Sequence, residues 1–456
     1  MKGAFGGDRG RDADGVRFRL FPKPPELHPD RAPETVHVSS RPGSIRRGPS
    51  DDRMYLIDPV GKAFRYGLNR TSYGSLFLNL PPWRGEVRPA VEPDPEGHFD
   101  HIAIDAPQFA KTHVFGSVRF VLDVWERYFG HRIEWHFAKD YERLEIAMLP
   151  EFDNSHVGYG FMEIGADRLA DGTLKTFALN FDVIAHELGH LVIYSTIGVP
   201  RLSIEAGEYF GFQESAADIS AMVAALHFEQ HIGHLLEETH GNFYSFNELD
   251  RFAELDTNTQ IRVANNSLTL ADFAEGWHDE HKLSQPLTGA VFDILVDIFQ
   301  EKLVERALIP RRLAELTRKV EHEADCAAVV QPHFDAAYAR HREGFRVALV
   351  DARDYLGSIY ASSAKQLLPD DLNYVNVAKA MLAADRGLTG GRYRELMLES
   401  FEWRGIGRIK VGPRLSPPDE KSHAHSDRTL LPEFTGRLPR LTYRERMMLA
   451  CGCRSG

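Results

Sequence analysis

The chain has few cysteines and no long hydrophobic run. Three of its 456 residues are cysteine, and Cys451 and Cys453 stand too close together to close a loop of useful size. No disulfide framework is therefore expected, which is typical of a reducing compartment. The N-terminus has acidic residues where a secretion signal needs an apolar run, and no later stretch approaches the roughly 18 to 20 apolar residues of a membrane span. We expect a cytoplasmic protein without a membrane partner, and secretion by another route stays open.

The chain also lacks an excess of basic residues. It has 54 Lys and Arg against 66 Asp and Glu, which gives a net charge of -12. Binding to nucleic acid rests on clustered Lys and Arg that neutralise phosphates, so no nucleic-acid partner is expected. A hydrophobic share of 43% and a charged share of 26% are ordinary for a soluble globular protein, and the length suits two or three domains. The oligomeric state does not follow from the sequence.

Local patterns divide the chain into a β-rich first part and a mostly helical second part. Residues 1–53 are rich in Pro, Gly, Arg and Asp, and we expect them to be poorly ordered or loosely docked. Residues 111–129 predict a helix that stops at Gly130, and helical patterns dominate from about residue 182. Short alternating segments predict strands at residues 54–57, 75–80 and 101–104.

One predicted helix has the spacing of a metal site. It runs from Asp182, which can cap its first turn, to Gly198, which can end it. His186 and His190 are four residues apart, so they project from the same helix face and can offer two imidazole nitrogens to one ion. Glu187 stands beside them and can act as a general base on a water at the metal.

A zinc site that performs chemistry needs a third protein ligand and one open position. Glu214 follows His190 by 24 residues, enough for a reversal and a second helix packed beside the first. Asp218 lies one turn further on, and a carboxylate there can accept the second N–H of a ligand histidine. His186, His190 and Glu214 are therefore the predicted ligands.

The motif of His186, Glu187 and His190 is only moderately specific by itself, because it can arise by chance in a chain with 21 histidines. The alternative is an ordinary solvated helix face. The capped helix, its apolar opposite face and the Glu-x-x-x-Asp segment at a suitable distance favour a metal site. We expect one zinc ion per chain.

With these motifs the chain resembles the thermolysin-like branch of the gluzincin zinc metallopeptidases, over about residues 106–404. The segment FDVIAHELGH is similar to the family's zinc helix, and QESAADIS is similar to its Glu-x-x-x-Asp helix. The resemblance implies that Asp218 supports His186 from behind the ligands. We expect Asp182, like Asp218, to lie among the residues that surround the metal ligands. Asp182 also matches one acid of the family's calcium site. The acidic cluster that completes that site is missing, which makes bound calcium doubtful.

The resemblance also implies residues that bind the substrate. The segment NSHVGYGFM looks like the family's edge strand, which makes Asn154 and Ser155 substrate contacts by β-strand addition. Arg262 is similar to the family's arginine that holds a substrate carbonyl. The expected partner is a peptide or protein substrate.

Further residues are implied in stabilising the transition state. His281, in HKLSQPLTGAVF, matches the family's histidine that stabilises the oxyanion. Tyr209 is the nearest candidate for the family's second oxyanion donor. The acidic residue that orients the histidine has no direct counterpart, so either Glu275 or Asp279 would take its place.

The resemblance implies an α+β fold, a two-lobed thermolysin-like metallopeptidase. An N-terminal α/β lobe with the zinc helix and a mostly α C-terminal lobe follow a β-rich extension. The expected segments are 1–53, poorly ordered; 54–105, the β-rich extension; 106–220, the catalytic lobe; 221–404, the helical lobe; and 405–456, a Pro-rich tail.

The expected function is a zinc-dependent peptidase, an endopeptidase with Glu187 as the general base. Two alternatives stay open. One is an aminopeptidase-like gluzincin that uses Glu163 to bind the substrate's N-terminus, and the other is a non-catalytic zinc-containing interaction module.

Overall fold

The computed structural model describes residues 15–71, 73–168, 172, 174–200, 207–245, 247–249, 251–252 and 262–415. They form two compact units. The sheet unit consists of residues 15–126 and 131–200, and the helical unit consists of residues 127–130 and 207–415. The mixture of helices and strands agrees with the predicted α+β class. The two-lobed arrangement and the segment boundaries stay predictions.

The sheet unit contains ten strands and two helices among its described residues. The strands are β1 (Val16–Leu20), β2 (Glu34–Val38), β3 (Met54–Ile57), β4 (Gly67–Arg70), β5 (Leu76–Asn79), β6 (Leu144–Met148), β7 (Ser155–Gly158), β8 (Phe161–Ile164), β9 (Ala166–Arg168) and β10 (Leu174–Thr176). The helices are α1 (Phe109–Phe129) and α2 (Phe181–Thr196).

A four-stranded sheet in the order β3-β6-β8-β7 forms the centre of this unit. β3, β6 and β8 are parallel, and β7 runs antiparallel to β8. Among the described residues β7 therefore lies at an edge of the sheet, which agrees with the edge strand predicted at this segment. α2 packs against β7. The fold thus places the predicted zinc helix beside the edge strand.

Part of the segment predicted to be poorly ordered is regular. β1 and β2 pair antiparallel from Val16 opposite Val38 to Leu20 opposite Glu34. The apolar residues of both strands are buried, and the ring of Phe18 stacks on that of Phe99 at 5.1 Å. The expectation for residues 1–53 is therefore wrong from residue 15 onward. The expectation was based on the content of Pro, Gly and charged residues. It overlooked the period-2 alternation in VRFRL and ETVHV, which buries one face of each strand.

Of the other local predictions, one helix and two strands are confirmed and one strand is wrong. α1 ends at Phe129, and Gly130 follows with a φ of +73°, as predicted. The strand expected at residues 101–104 is absent, because local turns take its backbone groups. The amide of Ile102 donates to Phe99, and the amide of Ala106 donates to Ala103 at 3.0 Å. β3 coincides with its predicted segment, and β5 lies within its own.

A segment of the N-terminal part covers one face of the four-stranded sheet. Lys62 forms an ion pair with Glu163 of β8, and their side chains are 1% and 0% exposed. The amide of Tyr66 donates to Glu163 at 2.7 Å, and its hydroxyl donates to Glu145 of β6. Because Glu145 and Glu163 project from the same face, this segment is fixed to the sheet by buried polar contacts.

α2 has the predicted length but a different cap. It spans residues 181–196, and its first turn is capped by Asn180, whose side-chain oxygen accepts from the amide of Val183 at 3.2 Å. The prediction that Asp182 caps this helix is therefore wrong, because Asp182 already lies inside its first turn. The end at Gly198, which has a φ of +96°, is confirmed.

The helical unit contains seven helices and a short strand pair among its described residues. The strands are β11 (Arg251–Phe252) and β12 (Arg262–Val263), and the helices are α3 (Gly207–Ala225), α4 (Glu229–Thr239), α5 (Glu280–Glu305), α6 (Arg311–Val320), α7 (Cys326–Ala364), α8 (Tyr374–Thr389) and α9 (Arg394–Trp403). α5 packs against α3, α7 and α9. None of the described helices is long and apolar enough to cross a bilayer.

Candidate metal centre

Two histidines of α2 converge on one point. The Nε2 atoms of His186 and His190 lie 3.1 Å apart, and their rings meet edge to face with centroids 4.7 Å apart. His186 is 3% exposed, and Glu187 and His190 are partly exposed. The helical spacing of four residues produces this convergence, because it returns the side chain to the same face after slightly more than one turn.

A carboxylate of α3 completes a group of three donors. Ligand atoms of His186, His190 and Glu214 all lie within 4.8 Å of one another. Within the described part of the chain, no other group of three or more His, Cys, Asp or Glu has such spacing. Two imidazoles and one carboxylate are the donor set of a catalytic zinc site, which leaves the fourth position for water or substrate. The residues present therefore fit a zinc ion.

His281 lies beside this group and has an acidic partner. Its Nε2 is 3.3 Å from Oε2 of Glu214, and its Nδ1 is 3.2 Å from Oδ1 of Asp279. The hydrogen bond from His281 holds the pKa of Asp279 below its ordinary value. Of the two acids left open by the sequence, the structure thus places Asp279, and not Glu275, against the imidazole.

Asp279 has a second structural task. It is the cap of α5, where its side chain accepts from the backbone amide of His281 at 2.9 Å. One carboxylate therefore fixes both the start of the helix and the ring of its second residue. A sequence signal for this pairing exists, because Asp is a preferred cap residue and stands two positions before the histidine.

The two acids predicted to surround the ligands have different positions. Asp218 is fully buried on α3, one turn after Glu214, and its support of His186 stays a prediction. Asp182 forms an ion pair with Lys23 at 2.6 Å, and both side chains are buried. Lys23 was not predicted, and its ammonium takes the place at Asp182 that a cation would need.

The predicted oxyanion donor Tyr209 is buried on α3. It is 1% exposed, and its hydroxyl accepts a hydrogen bond from the side-chain amide of Gln213 at 2.8 Å. A hydroxyl that accepts this bond keeps its own proton for a different acceptor. The role of Tyr209 in stabilising an oxyanion stays a prediction.

The predicted substrate contacts lie at the start of the edge strand. The side-chain oxygen of Asn154 accepts from the amide of Ser155 at 2.8 Å. Ser155 is 1% exposed, and its hydroxyl faces the amide of Gly165 at 3.4 Å. The side chain of Arg262 lies outside the described residues, although its backbone is part of β12. Substrate binding by all three stays a prediction.

Two aromatic side chains near His190 are not among the predicted site residues. The ring of Tyr194 lies nearly parallel to that of His190, with centroids 6.4 Å apart, and His136 meets Tyr194 at 5.5 Å. Both ring nitrogens of His136 are buried, and neither has a hydrogen-bond partner among the described residues. Burial lowers the pKa of His136 to about 3, so this imidazole is neutral under ordinary conditions.

Comparison with known proteins gives a weak structural likeness. No protein-family model matches the chain, and neither does any curated protein. Among solved structures, the chain is similar to the precursor of protealysin, a metalloproteinase from Serratia proteamaculans. The identity is 13%, the match covers 82% of this chain and 90% of that chain, and the TM-score is 0.39. At this TM-score the likeness supports no functional assignment, which therefore depends on the side chains of the site.

Proposed function

We propose that this protein is a zinc-dependent peptidase that hydrolyses internal peptide bonds of extended polypeptides. The observation that carries the proposal is the group of His186, His190 and Glu214 with Glu187 on the same helix. The three donors can hold the metal, and Glu187 is the adjacent carboxylate that a hydrolytic mechanism needs. Zinc, when bound, supplies Lewis-acid polarisation of the scissile carbonyl and acidifies the attacking water.

The side chains of this chain would carry the proton and the developing charge. Glu187 accepts the proton of the attacking water and passes it to the leaving amine. His281 donates a hydrogen bond to the oxyanion, and Asp279 holds the opposite ring nitrogen, which fixes the ring orientation. Tyr209 is a second proposed donor. Donors of this kind typically contribute about 3 to 4 kcal/mol each to the stabilisation of the transition state.

The substrate is proposed to bind as an added strand along β7. This strand is paired with β8 on one side, so its other side offers backbone groups to a peptide. Asn154 and Ser155 stand at its first residues, and Arg262 is proposed to hold a carbonyl of the substrate. Recognition through the substrate's backbone suits a polypeptide that continues on both sides of the cleaved bond, which is the kind of substrate that an endopeptidase cleaves.

The aminopeptidase alternative depends on a free carboxylate at Glu163. Glu163 is fully buried and is already bound by the ammonium of Lys62, by the amide of Tyr66 and by Nε2 of His156 at 2.6 Å. A substrate α-amine would have to displace Lys62 from the interior of the unit. This arrangement speaks against Glu163 as the anchor of a substrate N-terminus.

The experiment is mass-spectrometric analysis of a mixed peptide library incubated with the zinc-loaded protein. Half of the library carries acetylated N-termini, which an endopeptidase tolerates and an aminopeptidase does not. Glu187→Ala should lower the rate by about 100- to 10,000-fold while zinc stays bound. Glu134→Ala is the matched control, because Glu134 is an exposed carboxylate of the same unit.

Each result decides between the candidates. Internal cleavages that disappear with Glu187→Ala and with a chelator support the proposal. Stepwise trimming of free N-termini alone would favour the aminopeptidase. Stoichiometric zinc without any cleavage would favour the non-catalytic module.

A further inference from the structure

The hairpin β4–β5 exposes an unusual amount of apolar surface. Six of the fourteen large apolar side chains that are exposed in the described residues lie between Val60 and Val87. Tyr73, near the turn of the hairpin, is 96% exposed. We define the hairpin surface as the side chains of Phe64, Arg65, Arg70, Tyr73, Leu76 and Leu78.

The charge of this segment is opposite to that of the whole chain. Residues 59–85 contain no Asp or Glu but contain Lys62, Arg65, Arg70 and Arg84, whereas the chain as a whole has a net charge of -12. Lys62 is neutralised by Glu163, while Arg70 and Arg84 are exposed. The apolar side chains are therefore accompanied by positive charge, which favours an occupant that carries both carboxylates and apolar groups.

The hairpin surface is connected to the edge strand β7. The guanidinium of Arg65 lies 5.7 Å from the ring centre of Phe152, and the ring of Phe152 lies 5.1 Å from that of His156 in β7. Lys62 and His156 both bind Glu163, which fixes the hairpin's base to the same part of the sheet. A single polypeptide lying along β7 can therefore continue onto the hairpin.

The hairpin itself is available for pairing. Among the described residues, β4 and β5 pair with each other alone, and Leu76 and Leu78 project to the exposed side of β5. A two-stranded hairpin gains little from packing by itself, so apolar residues on its open face are better accounted for by a partner that covers them. Continuity with β7 favours a polypeptide over a lipid surface as that partner.

We infer that the hairpin surface is a docking site for a segment of the substrate that lies outside the cleaved bond and combines acidic with apolar residues. The inference rests on the proposed peptidase function, since it names the class of polypeptide that this enzyme selects. The apolar side chains of the substrate cover Leu76, Leu78 and Phe64. Its carboxylates pair with Arg70, which is exposed.

The test measures binding separately from cleavage. The probe is a fluorescein-labelled peptide of about 20 residues in which Glu alternates with Leu and Phe, long enough to span several strands. Its anisotropy is titrated with Glu187→Ala protein, which cannot consume it. Two variants are made in this Glu187→Ala protein, one with both Leu76→Ser and Leu78→Ser and the other with Arg70→Glu. Each should raise the Kd for the probe at least about tenfold, a change of about 1.4 kcal/mol. The matched controls Leu174→Ser and Arg41→Glu alter exposed residues elsewhere in the same unit and should leave the Kd unchanged.

Each outcome either supports or overturns the inference. Hairpin variants that bind the probe as tightly as the parent, or a parent that does not bind it, overturn the docking site even if short peptides are cleaved normally. Hairpin-dependent binding to phosphatidylserine vesicles without binding to the peptide would assign the surface to a membrane instead. Peptide binding without any cleavage by the native protein would retain the docking site and reject the peptidase function.

Discussion

Replacing Lys62 by Met tests the buried ion pair that occupies Glu163. Methionine keeps the length of the side chain but removes its charge, and Glu163 would remain bound by His156 and the amide of Tyr66. Both partners of the ion pair are almost completely buried, and removing one partner of such a pair typically costs about 3 to 5 kcal/mol. We expect Lys62→Met to lower the free energy of unfolding by about this amount.

The same variant has a pH signature with a definite sign. Burial alone would raise the pKa of Glu163, but the contacts with His156 and Lys62 outweigh it, and the pKa lies below its ordinary value. The carboxylate therefore stabilises the native protein above the unfolded-state pKa, and this contribution is lost as the pH falls through the folded-state pKa. Without Lys62 the folded-state pKa rises, so the deficit of Lys62→Met should be largest near neutral pH and shrink toward pH 4.

The assay is urea unfolding followed by tryptophan fluorescence, since three of the five tryptophans, Trp83, Trp125 and Trp135, belong to the sheet unit. Lys62→Met with Glu163→Gln is the matched double variant, because it removes the uncompensated charge. It should be less destabilised than Lys62→Met alone. A single variant within about 1 kcal/mol of the native protein would refute the structural role of this pair.

Substitutions at three further positions test the site and the structure that supports it. Asp279→Asn keeps a cap for α5 but removes the charge beside His281, so kcat should fall about 10- to 100-fold while the midpoint of unfolding stays unchanged. A fall in kcat accompanied by a lower unfolding midpoint would indicate that Asp279 has a structural role alone. The free energy of unfolding of the native protein should fall by about 2 kcal/mol between pH 7.5 and 5, because His136 protonates below about 6.5 in the unfolded chain but only near 3 in the folded protein. His136→Phe should remove this fall. Plots of stability against pH that run parallel for the two proteins would contradict the prediction. Asn180→Ala should cost about 1 kcal/mol, and Asn180→Asp should recover it.

The parts of the site that follow from short-range geometry could be predicted. The convergence of His186 and His190 needs only the period of a helix, and the stop at Gly198 needs only the freedom of glycine at positive φ. The edge position of β7 came from the resemblance of its segment, and the sheet order agrees with it. These features depend on residues within about a turn or a strand of one another.

The parts that depend on distant residues could not be predicted. Lys62 and Glu163 are separated by 101 residues, and Lys23 and Asp182 by 159. Each lysine looks like an ordinary surface residue in the sequence, and burial appears only when the segments pack. The prediction of the N-cap of α2 was wrong for a local reason. Asn180 and Asp182 are both good cap residues, and a shift of two positions decides between them.

The order between residues 15 and 53 has a related explanation. Composition averages over a window, while a strand needs only five residues with alternating burial, as in β1 and β2. Such short strands become stable through their neighbours. The amide of Phe21 donates to His113 of α1 at 3.0 Å, and Phe18 packs against Phe115. The partner helix lies almost a hundred residues later, which no local window can include.

The two buried lysines bear on the role of the N-terminal part. Glu163 and Asp182 are the two carboxylates that the sequence offered to outside cations, a substrate amine in one case and calcium in the other. In both cases an ammonium from residues 15–105 binds the carboxylate inside the sheet unit. Removing that segment would take the ammonium partner away from each carboxylate, at a typical cost of about 3 to 5 kcal/mol per pair against a typical domain stability of about 5 to 15 kcal/mol. Residues 15–105 are therefore an integral part of the folded sheet unit, and the proposed docking site on the hairpin surface lies in the same unit as α2.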